Sequence, residues 1–545
     1  MAQRRRFLLG AILLLGSGAR LAVYLSRPSL TIDETTLSLD LGSRSFAQLL
    51  HPLASLQTGP PLFLWSIKAC ITVAGMSEYA LRFIPLLAGL LVPYLVWRVG
   101  RSMLPESTAL LATALASVAP ALIQYSVTVK PYITDTLLAL LTIESALAVL
   151  RRPEARGAWL RLGCTGVAAV LGSIPAPFFL AGILAALLVG IRPITGRAIS
   201  WGVTCLALWI AAFVPLYVAL YRPVAVSAYM QEFWGPSFFA PGRPSGWWNL
   251  SRSACMSLIG RPAHAATVLP FAVILVAGLW ILLRRAPRAL AAMVGVPLLL
   301  LLVASSLHRY PLAERVLLFA VPTFVWSLAA ASTGAVLQRG HLGRVIGGLA
   351  VVGLGAVNIV HPYRPPATRQ AVDSLLRLAA PDEPIYVASG GIPAWSFYTT
   401  DWAAPDTAYL DWIERTAGRP GAAAFHNTAP RGRPVGPNEG EELRTRRRGR
   451  VELLGLASGV QWREGRGFAI PVVADSGWAG REAARIRAAA APTIWVLIAN
   501  PYPTTARDLL AAVPSNGGVI DNQLGVGGVR VVRLRFRNDQ QQPPN

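Results

Sequence analysis

Long runs of apolar residues alternate with short polar connections from the N-terminus to about residue 360. A helix that crosses a bilayer needs about 20 consecutive, mostly apolar residues. By this criterion, about eleven spans are placed at residues 7–25, 79–97, 107–127, 133–150, 158–175, 176–191, 199–220, 266–283, 289–307, 316–337 and 345–360. The pattern therefore predicts a polytopic α-helical membrane protein.

The pattern changes after about residue 361, where short β-branched and aromatic segments stand between polar stretches. Such segments are typical of buried strands, and a periodic segment between two of them is typical of a helix. Strands are predicted over residues 383–388, 493–498 and 529–534, and a helix over residues 503–513. Residues 1–360 are thus expected to form a transmembrane domain, and residues 361–545 a C-terminal soluble α/β domain.

Arginine residues gather at the ends of alternate apolar runs, and basic residues are retained on the cytoplasmic side of a membrane. They are Arg4 to Arg6, Arg98 with Arg101, Arg151 with Arg152 and Arg156, Arg192 with Arg197, Arg284 with Arg285 and Arg288, and Arg339 with Arg344. All lie on one side if the N-terminus is cytoplasmic, and an odd number of spans then makes residues 361–545 extracytoplasmic. Residues 62–75, after Pro60-Pro61, are expected to form an interfacial helix; a full span there is the alternative and would invert the downstream orientation.

The composition supports a membrane protein and argues against a nucleic-acid-binding protein, a zinc protein and a disulfide-stabilised protein. The chain is 54% hydrophobic and 14% charged, whereas soluble domains average about 25% charged residues. The net charge of +23 does not indicate a nucleic-acid partner, because most arginines stand at the ends of apolar runs. The four cysteines are scattered without CxxC or Cys/His spacing, so neither a zinc site nor a disulfide framework is predicted.

Three outward connections carry ionisable groups at the same predicted membrane face. A carboxylate pair at the exit of a span is a functional hypothesis by default. Carboxylates act as general bases, while lysine and arginine at headgroup depth hold phosphates. The groups are Asp33 with Glu34, Lys130 with Asp135, and Arg309 with Arg315. These residue types suit a reaction in which a carboxylate activates an acceptor hydroxyl or amine and a lipid-linked phosphate is the leaving group. The alternative is that the charged residues only form ion pairs at helix ends.

An ordered set of motifs carries a family resemblance over about residues 1–360. The motifs are the acidic pair Asp33-Glu34, the Pro60-Pro61 helix start, the segment from Ser77 to Pro85 with Ala88-Gly89, Tyr125 with Lys130-Pro131-Tyr132 and Asp135, and His308-Arg309-Tyr310-Pro311 with Arg315. The set resembles bacterial family 39-like glycosyltransferases of the GT-C class, relatives of protein O-mannosyltransferases and of the lipid A aminoarabinose transferase. Residues 361–545 do not contribute to it.

The resemblance implies a GT-C type bundle that transfers a sugar from a polyprenyl-phosphate carrier to a lipid, glycan or protein acceptor outside the bacterial inner (plasma) membrane. It implies that Asp33 is the general base and Glu34 its neighbour in substrate binding. The implied donor-phosphate residues are Arg82, Lys130, Arg309 and Arg315, and the implied cavity residues are Tyr132, Asp135 and His308. Many relatives have an acidic residue with Arg and Tyr where this chain has Lys130-Pro131-Tyr132, which leaves the role of Lys130 open.

No cofactor is predicted. Some relatives use a divalent metal, and the Asp33-Glu34 pair could supply ligands, but two adjacent acids are far short of a full coordination set. Asp33 could instead cap a helix, since Asp-Glu is common at helix N-termini, Lys130 could snorkel, and Tyr125 and Tyr132 suit an interfacial belt.

Structural roles and other functions also remain open. Arg82 and His308 could be simple helix-end residues, and Arg20, inside the first span, is expected to pair with a carboxylate or to snorkel. Two other functions are a lipid-linked sugar transporter or flippase, which would show repeats and broken helices, and a non-catalytic subunit of a cell-envelope assembly.

Overall fold

The computed structural model describes residues 2–54, 57–332, 342–410, 413, 444–447, 450–455, 460–464, 469–473, 477–490, 492–499 and 505–536. The chain divides into two compact units. The helical unit comprises Met1–Arg27, Gly59–Val73 and Tyr79–Tyr363, and the sheet unit comprises Pro28–Thr58, Ala74–Glu78 and Arg364–Asn545. The domain boundary predicted at residue 360 stays a prediction; two N-terminal stretches are part of the sheet unit.

The helices, in chain order, are α1 (Ala2–Leu25), α2 (Ile32–Ser43), α3 (Pro61–Ala74), α4 (Glu78–Gly100), α5 (Glu106–Val118), α6 (Pro120–Tyr125), α7 (Tyr132–Arg151), α8 (Arg156–Gly172), α9 (Ala176–Gly190), α10 (Gly196–Leu216), α11 (Arg222–Ala225), α12 (Ala228–Trp234), α13 (Pro244–Ile259), α14 (Ala265–Arg285), α15 (Arg288–Ser306), α16 (Val321–Ser332), α17 (Leu342–Val360), α18 (Thr368–Leu378), α19 (Ile392–Thr399), α20 (Trp478–Ala489) and α21 (Thr505–Ala512). The strands are β1 (Ile385–Val387), β2 (Arg444–Arg447), β3 (Arg450–Leu454), β4 (Val460–Glu464), β5 (Ala469–Val473), β6 (Thr493–Ile498), β7 (Gly518–Val526) and β8 (Val529–Phe536).

Six helices of the described chain are long and apolar enough to cross a membrane. They are α1, α4, α7, α10 with its continuation to Ala225, α14 and α15. Shorter apolar helices are Pro61–Ala74, Glu106–Val118, Ala176–Gly190, Leu318–Ser332 and Val345–Val360. The polytopic helical architecture is confirmed, while the number of about eleven spans stays a prediction and the end of the predicted span 316–337 lies outside the described residues.

Glycines let the helices of the helical unit approach one another closely. A methyl group on Gly182 in α9 would lie 2.6 Å from the ring of Pro297 in α15. A methyl group on Gly278 in α14 would overlap the carbonyl oxygen of Ser327 in α16. Small residues at such crossings bring helix backbones together, which is how helices pack in membranes without a hydrophobic driving force between them.

Arg20 shows a contact that the sequence did not predict. Its guanidinium is fully buried in the helical unit and donates to the carbonyl oxygens of Gly16 (2.9 Å), Ser117 (2.9 Å) and Ala116 (3.2 Å). The Ala116 carbonyl would accept the amide of residue 120 in a continuous helix, but Pro120 has no amide proton. Arg20 therefore satisfies carbonyls freed by the break between α5 and α6, rather than pairing with a carboxylate or snorkelling.

The sheet unit contains a six-stranded sheet in the order β2-β3-β1-β6-β8-β7. β1 pairs in parallel with β3 and β6, the remaining pairs are antiparallel, and β4 and β5 form a separate hairpin. One face of the larger sheet packs against α18 and α19, and the opposite face against α20 and α21. The strands predicted over 383–388, 493–498 and 529–534 are confirmed as β1, β6 and β8, and the predicted helix as α21.

Two N-terminal stretches are bound into the sheet unit by specific contacts. The Ser29 hydroxyl donates to Gln370 Oε1 at 2.8 Å, and the Leu30 amide donates to the Tyr398 hydroxyl at 2.8 Å. The Arg369 guanidinium pairs with Glu78 at 2.7 Å. These contacts join residues more than 290 positions apart, so the local pattern of the sequence did not predict them.

Candidate functional site

The first segment that is predicted to face outward forms the start of helix α2, within the sheet unit. Thr31 is the N-cap residue, and its amide and hydroxyl donate to Glu34 Oε2 at 2.9 and 3.0 Å. The Glu34 amide in turn donates to Thr31 Oγ1 at 3.4 Å. This is a complete capping box, which satisfies two amides that a helix start otherwise leaves unpaired. The sequence left open that Asp33 caps this helix, whereas the structure gives that role to Thr31, with Glu34 as the second member of the box.

Asp33 differs from Glu34 in its surroundings. It occupies the second position of α2 and is partly exposed, whereas Glu34 is fully buried. A negative charge in the first turn of a helix is stabilised by the helix dipole. The capping box uses Glu34 Oε2, and Asp33 is the more solvent-exposed carboxylate of this pair.

The C-terminal end of α2 is fixed by the carboxylate of Asp40. Asp40 is buried, pairs with Arg44 at 2.8 Å, and accepts the Ala54 amide at 3.3 Å. Gly42 packs directly against the indole of Trp402, where a methyl group would overlap the ring. α2 is thus held at both ends, so the backbone that carries Asp33 has a defined position within the sheet unit.

Three of the predicted charged residues are buried inside the helical unit. Arg82 in α4 is 1% exposed, Lys130 in the turn before α7 is 7% exposed, and Asp135 in the first turn of α7 is 6% exposed. Burying charge away from water is costly unless partners or ligands compensate it. Their burial argues against plain snorkelling of Lys130 and against a solvated helix-end charge at Arg82.

Asp135 lies in a cluster of polar groups with unused hydrogen-bonding capacity. Ser173, after α8, lies beside its carboxyl group, and the hydroxyls of Tyr221 and Tyr310 are within range of its charge. Within the described part of the chain, Asp135 Oδ1, Ser173 Oγ and the Tyr221 hydroxyl are buried without a hydrogen-bond partner. Buried polar atoms without partners are rare in folded proteins and call for a water, ion or ligand.

Tyr310 connects this cluster to the segment between α15 and α16. Its ring lies 5.0 Å from that of Phe178, and its hydroxyl donates to the Val316 carbonyl at 3.2 Å. Burial, together with the Asp135 charge, raises the pKa of Tyr310 well above its ordinary value. Its hydroxyl therefore acts as a hydrogen-bond donor and not as a base.

The same segment carries the other predicted basic residues. The guanidinium carbon of Arg315 lies 5.1 Å from the ring centre of Trp234, within cation–π distance. His308 packs edge-on against Phe238 at 4.8 Å, and the Leu312 amide donates to the Ser237 carbonyl at 2.8 Å. The 234–238 stretch therefore supports the segment that holds His308 and Arg315, while Arg309 is exposed.

Tyr125 and Tyr132 link the turn before α7 to the segment between α15 and α16. Their rings meet edge to face at 5.3 Å, and the charges of Glu314 and Arg315 act on the Tyr125 hydroxyl. Tyr132, Asp135 and Arg315 are thus connected within the helical unit through Tyr125 and Tyr310. Their roles at a substrate cavity and a donor phosphate stay predictions.

Sequence reasoning missed Ser173 and Tyr221 as members of this neighbourhood, and it named Tyr310 only as part of the His308-Arg309-Tyr310-Pro311 motif, without a role. Each stands within two residues of the end of a predicted span or in the connection after it, which is the only local signal that could have found them.

The described residues contain no group of three His, Cys, Asp or Glu side chains that could hold a metal ion. Glu34 uses one carboxylate oxygen in the capping box, so the Asp33-Glu34 pair does not present two free carboxylates to a cation.

Comparisons with known proteins agree with this architecture. Residues 58–219 match the family model of dolichyl-phosphate-mannose-protein mannosyltransferases. ArnT from Cupriavidus metallidurans in the apo state has a similar structure, with 14% identity and a TM-score of 0.52 over 98% of both chains. ArnT from the same organism bound to undecaprenyl phosphate matches with 14% identity and a TM-score of 0.52 over 100% of both chains.

A third structure, the Archaeoglobus fulgidus oligosaccharyltransferase with zinc and sulfate, matches with 15% identity and a TM-score of 0.44 over 71% of this chain and 60% of that chain. No curated protein sequence matches the chain. The likeness to ArnT covers both units and establishes the fold. The resemblance to GT-C glycosyltransferases is confirmed, and the chain is an integral membrane protein.

Proposed function

We propose that this protein is a membrane glycosyltransferase that transfers a sugar from a polyprenyl-phosphate donor to an acceptor on the outer side of the membrane. The observation that carries the proposal is the GT-C fold shared with ArnT over 98% of the chain. ArnT has been solved with undecaprenyl phosphate bound, a lipid phosphate of the class that buried arginine and lysine suit. The arginine distribution supports a cytoplasmic N-terminus in a bacterial inner membrane.

The donor phosphate is assigned to the basic residues of the helical unit. Arg82 and Lys130 are 1% and 7% exposed, and charge-assisted hydrogen bonds to phosphate are strong where water is excluded. Arg309 and Arg315 stand on the segment before α16, at the predicted outer face, where they suit the negative charge of a lipid phosphate. Tyr132, Asp135 and His308 are assigned to the walls of the sugar-binding cavity.

Asp33 is assigned the role of general base. It is partly exposed at the first turn of α2, and the capping box of Thr31 and Glu34 fixes that turn. Glu34 is accordingly assigned a positioning role, because one of its oxygens accepts from Thr31. A positioned general base contributes roughly 100- to 10,000-fold to rate.

The reaction is a single displacement. The Asp33 carboxylate takes the proton of the acceptor hydroxyl or amine while the acceptor oxygen or nitrogen bonds to the anomeric carbon. The bond from that carbon to the phosphate oxygen breaks, and the electron pair leaves with the polyprenyl phosphate, whose charge the basic residues stabilise. The anomeric configuration inverts, and no covalent enzyme intermediate forms.

The test is sugar transfer by the purified full chain from radiolabelled polyprenyl-phosphate sugars to a membrane extract. Asp33→Asn is expected to lower turnover by at least 100-fold, as expected for loss of a general base. Asp373→Asn, a change of an exposed carboxylate in α18, is the matched control and should leave turnover unchanged.

Thermal unfolding of both variants distinguishes lost chemistry from lost folding. Wild-type turnover in folded Asp33→Asn would refute the assignment of the base. Absence of transfer by the wild-type protein from every polyprenyl donor would favour the transporter or assembly-subunit functions.

A further inference from the structure

A cavity of about 660 Å³ opens in the helical unit at the end of the bundle where the arginines gather. It is lined by the end of α4, the end of α7, the last residue of α9 and the start of α15. Cavities of about 300–1,000 Å³ are of the size that holds small-molecule ligands. None of the residues assigned above to sugar transfer lines it.

The polar wall of the cavity has an excess of positive charge. Arg98, Arg101 and Arg151 line it together with one carboxylate, Glu144, so three positive charges and one negative charge leave a net +2. Glu144 is 4% exposed and pairs with Arg98 at 2.6 Å. That pair is neutral, and the excess charge resides on the other two guanidinium groups.

Arg101 and Arg151 are held in place without a carboxylate partner in the described chain. The guanidinium carbon of Arg101 lies 4.6 Å from the ring centre of Trp97, and Arg151 Nη2 donates to Ser102 Oγ at 3.0 Å. Neither guanidinium has an acidic group within 4.0 Å among the described residues. Both therefore retain donors for an anion, and planar guanidinium groups match the geometry of phosphate.

Trp97 supplies an independent indication of a ligand. It also lines the cavity, and its indole Nε1 is buried without an acceptor in the described part of the structure. A buried donor that makes no hydrogen bond is destabilising. An anion in the cavity is a ready acceptor beside this donor.

Apolar residues also line the cavity, and exposed apolar residues stand next to it in sequence. Leu147, Leu150 and Leu290 line the cavity. Leu188 and Val189, which precede the lining residue Gly190, are 67% and 39% exposed. Exposed apolar side chains on a membrane protein face acyl chains, so a ligand with a hydrocarbon tail can occupy the cavity and extend along this edge.

We propose that the Arg101–Arg151 cavity binds the phosphate ester headgroup of an anionic membrane lipid, with its chain lying along the Leu188–Val189 edge. Basic pockets between membrane helices bind anionic headgroups in this manner. The apolar lining residues and the exposed apolar residues that precede Gly190 favour a lipid over a soluble phosphate. The inference is independent of the proposed sugar transfer, because it uses different residues.

The test is native mass spectrometry of the delipidated full chain in detergent, titrated with phosphatidylglycerol or phosphatidylcholine. Phosphatidylglycerol is expected to bind at least tenfold more tightly than phosphatidylcholine, and the double variant R101A/R151A to lose about tenfold in that affinity, as for removal of charged hydrogen bonds. The matched control is R284A/R285A. It removes the same charge, and Arg284 stacks on Trp280 at 4.1 Å but does not line the cavity.

Inorganic phosphate is the competitor that distinguishes the two sources of the anion. It is expected not to displace phosphatidylglycerol at millimolar concentration. Displacement by inorganic phosphate at the affinity of the lipid would overturn the lipid assignment in favour of a soluble phosphate. Equal losses in R101A/R151A and R284A/R285A, or no loss in R101A/R151A, would overturn the cavity as the site.

Discussion

Thr31 and Glu34 bind each other at the start of α2, with the Thr31 amide donating to the Glu34 carboxylate at 2.9 Å and the Glu34 amide donating to the Thr31 hydroxyl at 3.4 Å. Asp33 lies between them in sequence. The reciprocal pair therefore sets the backbone position of the proposed base, and its two members can be tested separately from Asp33.

Glu34→Gln is expected to keep most of the transfer activity, because glutamine serves as well as glutamate at this position of a capping box. Glu34→Ala removes the acceptor for the Thr31 amide and should lower both activity and thermal stability. Loss of an N-terminal cap costs about 0.5–2 kcal/mol. Initial rates of transfer and the unfolding temperature measure the two effects.

Thr31→Ser is the control, since serine preserves the hydroxyl. Inactivity of folded Glu34→Gln to the level of Asp33→Asn would contradict the positioning role and give Glu34 a part in the chemistry.

Asp135→Asn is expected to lower sugar transfer without lowering the thermal stability of the protein. The Asp135 carboxyl is 6% exposed, and its Oδ1 has no hydrogen-bond partner among the described residues. Removing an uncompensated buried carboxylate usually costs little stability or increases it. We therefore expect the unfolding temperature to be unchanged or higher while sugar transfer falls at least tenfold, because functional sites retain groups that destabilise the fold.

Ser173→Ala, which changes the neighbouring hydroxyl, is the comparison variant and should have the smaller effect on transfer. A large loss of stability in Asp135→Asn with unchanged specific activity would indicate that Asp135 is structural.

Glu383 is expected to make the sheet unit sensitive to acid. Burial alone would raise its pKa, but hydrogen bonds from Thr493, Arg533 and Trp495 outweigh burial and lower the pKa below its ordinary value. A carboxylate with a lowered folded-state pKa adds stability above its unfolded pKa, about 4.3 for glutamate, and this stability is lost as the pH falls through the folded-state pKa.

Hydrogen exchange in the full chain, followed on peptides from β6 and β8, measures this loss. The protection factor, which is the intrinsic exchange rate of an amide divided by its observed rate, should fall below about pH 4.3, the ordinary pKa of glutamate. Glu383→Gln should be less stable at pH 7 and should show a weaker acid response. Identical acid responses of the variant and the wild type would assign the effect to other carboxylates.

Gly278→Ala is expected to destabilise the helical unit. A methyl group at this position would overlap the backbone carbonyl of Ser327, which cannot move without shifting α16. Overpacking of this kind costs about 1–3 kcal/mol. Gly295→Ala in α15 is the control, because its methyl group would meet only a leucine side chain at 3.7 Å. Equal unfolding temperatures for the two variants would show that α14 and α16 tolerate a wider separation.

The sequence by itself determined the helical membrane architecture and the main strands of the sheet unit. Runs of about 20 apolar residues are required by the thickness of a bilayer, and the buried strands β1, β6 and β8 are visible as short apolar segments. These features depend on neighbouring residues and not on distant parts of the chain. The apolar run over residues 107–127 predicted one unbroken span, and this was wrong: the structure divides it into α5 and α6 at Pro120, because proline has no amide proton.

Only the tertiary structure decided which distant residues meet. It placed Ser173 and Tyr221 near Asp135 and bound Ser29 to Gln370 across 341 positions. It also gathered the arginines of separate helix ends around one cavity, where the sequence showed only a topological signal. Such contacts depend on packing between elements far apart in the chain, and hydrophobic periodicity carries no information about which elements become neighbours.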